Sequence, residues 1–110
     1  MAHTYASVVL KAPVETVWSL VRDFNGLPAW APGIARSEIE DGLDPDVVGC
    51  VRSLHTTDGV HVRERLLTLD DANYTFAYGR EAPFTPVDHG ERWANYLARL
   101  KQQYAVPIEL

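Results

Sequence analysis

Two β-prone runs, Val47 to Thr56 and Val60 to Leu69, flank the tripeptide Thr57-Asp58-Gly59. An Asp-Gly turn between two such runs is a hairpin signal. With a three-residue loop the register follows: Thr56 lies opposite Val60, Leu54 opposite Val62, Arg52 opposite Glu64, and Cys50 opposite Leu66. Alternate residues of a strand point to opposite faces. Ser53, His55, His61, Arg63 and Arg65 therefore share the other side. The first face is apolar except for one Arg and one Glu set against each other, and the second is polar. Such a hairpin needs a core laid on its first face. Arg52 and Glu64 are expected there as a cross-strand ion pair on a concave surface.

The remaining chain supplies that cover. Tyr5 to Leu10 is a short β-prone run, expected as the first strand. Pro13 then opens a helix, because its fixed φ suits the first turn and its missing N–H costs nothing there. Val14, Val17, Trp18 and Val21 recur at helical spacing. The helix is expected to end near Asp23, since Asn25-Gly26 and Leu27-Pro28 cannot continue it. Ile34 to Glu40 reads as a strand, followed by a loop over 41–46. Asn73 to Tyr78 reads as another, with Tyr74, Phe76 and Tyr78 at period two. Pairing Thr68 with Tyr74 turns all three rings inward, whereas a one-residue slip would turn them all outward. Inward is favoured, because a row of exposed aromatics invites aggregation. In the tail Trp93, Tyr96, Leu97, Leu100 and Tyr104 form a helical stripe. Asp88 and Glu91 have the spacing of a capping box at its start. Strands in a meander with helices set apart from them indicate an α+β fold.

At 110 residues the chain is one domain, residues 1–110, with 46% hydrophobic and 23% charged residues, which is ordinary for a soluble protein. The net charge of −5 and the scattered Lys and Arg argue against nucleic acid as a partner. No apolar run reaches the ~20 residues of a membrane span, and the first residues carry no signal pattern. The expectation is a cytoplasmic protein. A single cysteine, Cys50, excludes an internal disulfide and leaves no metal-ligand spacing. No cofactor is expected.

Ala12-Pro13-Val14-Glu15-Thr16-Val17-Trp18, followed by Asp23-Phe24-Asn25-Gly26-Leu27-Pro28-Ala29-Trp30-Ala31-Pro32-Gly33-Ile34, resembles the opening of the START-like polyketide cyclase/dehydrase (SRPBCC) group of helix-grip proteins. The hairpin is similar to that of the same group: Val48-Gly49-Cys50-Val51-Arg52, then Gly59-Val60-His61-Val62-Arg63-Glu64-Arg65-Leu66, then Leu69-Asp70-Asp71. The resemblance implies a curved antiparallel sheet of about five strands gripping a long C-terminal helix. The implied order is strand, helix, short helix, four strands, helix. It also implies an apolar small molecule held between sheet and helix. One departure stands out. Group members run through two further strands before the closing helix, whereas here Pro86 leads straight towards it. A contracted five-stranded sheet is one outcome. A homodimer through exposed strand edges or swapping is the other.

Ligand contact is expected from Trp18, Trp30, Arg52, Leu54, Val62, Glu64, Leu66, Tyr74, Phe76, Tyr78, Trp93, Tyr96 and Leu97, the inward side chains of these elements. Aromatic and aliphatic walls with a few polar groups are the usual make-up of a small-molecule site, though a stripe of this kind also makes plain core. Trp30, in the elbow, is a candidate gate, with an anchoring role as the alternative. Arg52, Glu64 and Tyr78 are the catalytic candidates, with Tyr74 beside them. Glu64 could act as a general base, but an arginine opposite opposes that role. A purely structural ion pair is the competing reading. His55 and His61 lack further ligands for a metal, His89 is a candidate for the cavity mouth or a solvated cap, and Cys50 reads as a buried apolar residue. Three functions remain open: a carrier of an apolar, partly oxygenated molecule, a cyclase or dehydratase, and an assembly protein without a closed pocket.

Overall fold

The structure, a computed structural model, describes residues 6–82 and 89–104. Helix α1 spans Val14–Val21, and a 3-10 turn follows at Leu27–Ala29. Strands β1 (Ile34–Ile39), β2 (Val51–Thr56), β3 (His61–Asp70) and β4 (Thr75–Arg80) form one antiparallel sheet in sequence order, and α2 (His89–Gln103) closes the chain over it. The α+β class stands.

The hairpin register is the expected one, with Arg52 against Glu64, Leu54 against Val62 and His55 against His61. Gly59 closes the loop at φ 90°, a backbone state that disfavours side chains, and donates its N–H to the Thr56 carbonyl. The outer face carries the polar set: the His55 and His61 rings stack at 4.5 Å, Arg63 pairs with Glu40, and Arg65 pairs with Glu81.

Two expectations change. Residues 6–10 form no strand, and the sheet has four strands among the described residues where about five were expected; Tyr5 lies outside the described residues. A strand needs a ladder partner, and this segment does not take the outer edge of β4. Leu10 instead packs onto the core cluster containing Leu54, Tyr96 and Leu100, while Val9 stays 84% exposed. Tyr74 is also not in a strand and does not face inward. The Asp70 carboxylate accepts hydrogen bonds from the Ala72 and Asn73 amides and from Asn73 Nδ2, winding the chain into a tight turn. Tyr74 leaves that turn at φ 54°, is 39% exposed, and donates its hydroxyl to Glu15. Pairing then runs Asp70–Thr75, Leu69–Phe76 and Thr68–Ala77, followed by a bulge that sets Leu66 against Tyr78. Thr68 thus meets Ala77 instead of Tyr74. The bulge leaves Leu67 exposed and keeps Phe76 and Tyr78 on the core side. The proposed cap Asp88 lies outside the described residues, as does the His89 side chain.

Helix α1 is tied to the far end of the sheet. Trp18 Nε1 donates to Asp71 at 2.7 Å, and Arg22 Nε donates to the same carboxylate at 2.7 Å. The core is in two parts. Leu27, Trp30, Ile34, Leu54, Val62, Tyr96 and Leu100 pack where the elbow, hairpin and α2 meet. Phe24, Cys50 and Leu66 pack with Ile39, Leu69, Phe76 and Tyr78 at the other end. The Arg52–Glu64 row lies between Leu54–Val62 of the first part and Cys50–Leu66 of the second.

Candidate functional site

Period two places Arg52 and Glu64 on the concave face, and the helix above decides their surroundings. Both are almost completely buried, at 2% and 0% exposure. Arg52 Nε donates to Glu64 Oε1 at 2.9 Å. Its Nη2 is 2.8 Å from the same oxygen, an ionic contact without hydrogen-bond geometry. Nη1 donates to the Phe24 carbonyl at 3.1 Å. The guanidinium lies between the Phe24 and Tyr78 rings, 4.1 and 4.8 Å from their centroids. The second carboxylate oxygen of Glu64 is also occupied: Arg92 Nη2, from the first turn of α2, donates to it at 2.9 Å. Glu64 is therefore held by two guanidinium groups.

Arg92 is the residue that the hydrophobic pattern does not reveal. Its position was nonetheless marked, since Arg92, Tyr96 and Leu100 fall four apart on one helix face. Burial works to lower the pKa of Arg92, but the charge of Glu64 and its hydrogen bond outweigh that and leave it above the ordinary value. Burial raises the Tyr96 hydroxyl above the usual phenol range despite Arg92 nearby, so it remains protonated. Burial and the Glu64 charge raise Tyr78 in the same way.

Outside the Arg52–Glu64 pair, the expected ligand residues separate into five groups. Leu54, Val62 and Leu66 are fully packed core on the sheet. Trp30 is 3% exposed, its ring 5.7 Å from Tyr96 and 6.3 Å from Trp93, which anchors the elbow on α2. Trp93 donates its indole N–H to the Tyr78 hydroxyl, and Leu97 packs beside it on the same core. Trp18, Tyr74 and Phe76 gather elsewhere. They line an apolar groove of about 1000 Å³ between α1 and the start of β4, together with Val14, Val17 and Val21. The groove offers little polar recognition, since Trp18 Nε1 is bound to Asp71 and the Tyr74 hydroxyl to Glu15.

Tyr96 alone of the expected set borders the second opening, a pocket of about 400 Å³ between the start of β1, the hairpin loop and the first turns of α2. Pro32, Gly33, Ile34, Thr56 and Val60 form one side, and Arg92, Asn95 and Tyr96 the other. Among the described residues, the Tyr96 hydroxyl and the Arg92 Nε and Nη1 atoms have no hydrogen-bond partner, and all three are buried with almost no accessible surface. Among the described residues no group of three or more side chains could hold a metal, and no helix is long and apolar enough to cross a membrane.

A curved antiparallel sheet closed by a C-terminal helix, with its polar groups buried between them, is the START-like helix-grip architecture. The chain belongs to the polyketide cyclase/dehydrase and lipid transport family, whose sequence profile matches residues 1–101. It is 37% identical over 68 residues to the abscisic acid receptor PYL7 of Arabidopsis thaliana. That stretch is 59% of this chain and 31% of the receptor, so the chain spans about a third of that relative's length. Among solved structures, XoxI from Bacillus cereus superposes with a TM-score of 0.70 at 25% identity, covering 86% of this chain and 89% of XoxI. An uncharacterised Bacillus thuringiensis protein gives 0.68 at 25% identity, covering 86% and 93%.

Proposed function

We propose that the protein binds an apolar, partly oxygenated small molecule in the pocket between the hairpin loop and α2. The observation that carries this reading is the pocket of about 400 Å³ with apolar Pro32, Ile34 and Val60 and polar Thr56, Arg92 and Asn95 in its lining. Its volume is within the range of small-molecule sites. A family that includes lipid transport, and a relative named as a receptor for abscisic acid, support the same reading. The family also includes cyclases and dehydrases, so an enzyme using Arg52, Glu64 or Tyr78 is the second reading. Geometry favours binding. Both Glu64 oxygens are engaged by guanidinium groups, so its carboxylate is not poised to take a substrate proton.

The test is uptake of N-phenyl-1-naphthylamine, an uncharged probe that fluoresces in apolar surroundings, followed by mass spectrometry of any ligand extracted from the purified protein. Saturable uptake is expected. Val60→Trp, which fills the pocket, should abolish it, while Val14→Trp in the separate α1 groove should leave it intact. Circular dichroism confirms that both variants fold. Uptake blocked at Val14 and not at Val60 would move the site to the groove and overturn the reading.

A further inference from the structure

The pocket between the hairpin loop and α2 does not end at its own rim. A shallower recess of about 390 Å³ is lined by Pro32, Asn95, Ala98, Arg99 and Gln102. Pro32 and Asn95 border both openings, so the two form one continuous trough along α2. Asn95, Ala98 and Gln102 fall at i, i+3 and i+7, on one face of that helix. Ala98 is the smallest side chain of the row and leaves a depression between the two amides. All five lining residues are exposed, so their side chains are open to a ligand. The chemistry of the wall changes at the junction. The pocket is apolar at Ile34 and Val60, whereas the recess sets two carboxamides and a guanidinium around a proline ring and a methyl group. A carboxamide both donates and accepts hydrogen bonds, as a hydroxyl group does. A ring that carries hydroxyl groups on its edge and C–H groups on its face matches both parts of this wall. A charged head is matched less well, because Arg99 stands in the recess while Asp58 and Glu91 stand at the adjoining opening.

We propose that the trough takes a glycoside-like amphiphile, its apolar body in the pocket at Ile34 and Val60 and its uncharged, polyhydroxylated head in the recess at Asn95, Arg99 and Gln102. The proposal rests on the pocket reading above and adds the chemistry of the ligand's head. From Glu91 to Gln102 the helix rises about 16 Å, at 1.5 Å per residue, which gives room for a medium-length apolar chain and one sugar ring laid end to end. The pocket thus selects for an apolar body, and the recess selects for hydroxyl groups at its end.

Displacement of N-phenyl-1-naphthylamine at neutral pH by octyl β-D-glucoside (below its micelle concentration), 1-octanol and octanoate tests this. The glucoside is expected to displace the probe at about tenfold lower concentration than octanol, the scale of one or two neutral hydrogen bonds. Octanol leaves water more readily than the glucoside, so apolar burial alone would give the opposite order. Ala98→Phe fills the depression and Gln102→Ala removes one amide. Both positions are exposed on α2, and circular dichroism checks that the variants fold. In each the glucoside's advantage should shrink while octanol is unchanged. Displacement by the glucoside no better than by octanol in the unmodified protein overturns the polyhydroxylated head and leaves the pocket reading standing. Octanoate more potent than the glucoside overturns the uncharged head. An advantage that survives both substitutions overturns its seat on α2. Absence of probe uptake overturns the pocket and the head together.

Discussion

At the scale of single residues, Glu64 carries the largest share of electrostatic order in the core. It is fully buried, and each oxygen accepts from a different arginine. Removing one partner of such a network leaves charge buried without compensation, which typically costs about 3–5 kcal/mol. Glu64→Ala is therefore expected to lower stability by that amount in urea unfolding, because two guanidinium groups lose their common acceptor. Arg92→Gln should cost less, since Glu64 keeps Arg52 and the remaining pair is neutral. A Glu64→Ala change below about 1 kcal/mol would show that the network is not held as described. The hairpin made this pair legible in the sequence, because loop length fixes register and period two fixes the face. Arg92 was not legible by the same means. A search for apolar periodicity passes over a charged residue, even one placed four residues before Tyr96 and eight before Leu100 on the buried side of α2.

At the scale of elements, the lesson is that local propensity proposes a strand and only a partner makes it one. Residues 6–10 are as β-prone as the paired strands, yet no ladder holds them. Asn73–Tyr78 gave the correct strand and the correct inward face for Phe76 and Tyr78, but not its start, because the Asp70 side chain winds the turn through Tyr74. The outer face of the hairpin gives the next prediction. Partial desolvation, then the charges of Arg36 and His61, hold the His55 pKa below its ordinary 6.5. The unfolded chain therefore binds this proton more readily than the folded one. The contribution of His55 is complete above pH 6.5 and is lost as pH falls through its lower folded value. The hydrogen bonds of Arg22 to Asp71 and of Arg63 to Glu40 lower those carboxylates, so their contribution is lost in a separate, more acidic window below about pH 4. The melting temperature should therefore decline in two steps on acidification. His55→Gln should shrink the first and leave the second. A first step of unchanged size in that variant would assign it elsewhere.

At the scale of the whole molecule, the four-stranded order leaves β2 and β3 paired on both sides while β1 and β4 each have one neighbour among the described residues. Unpaired strand edges expose N–H groups to water and invite association. The two outcomes posed by the shortened sequence, a closed single chain or edge pairing between two chains, predict different protection from hydrogen exchange. In a single chain the slowest amides are those of 51–56 and 61–66, and the amides of 75–80 that do not bond β3 exchange quickly at every protein concentration. Pairing of β4 with a second copy would slow the same amides, and the slowing would grow with concentration while static light scattering rose above the 12.3 kDa of one chain. The four-stranded fold is expected to give the first pattern, because its two core clusters and the Arg52–Glu64–Arg92 network are all completed by elements of one chain. Fast, concentration-independent exchange over 75–80 supports it, and concentration-dependent protection there would make the second chain part of the fold.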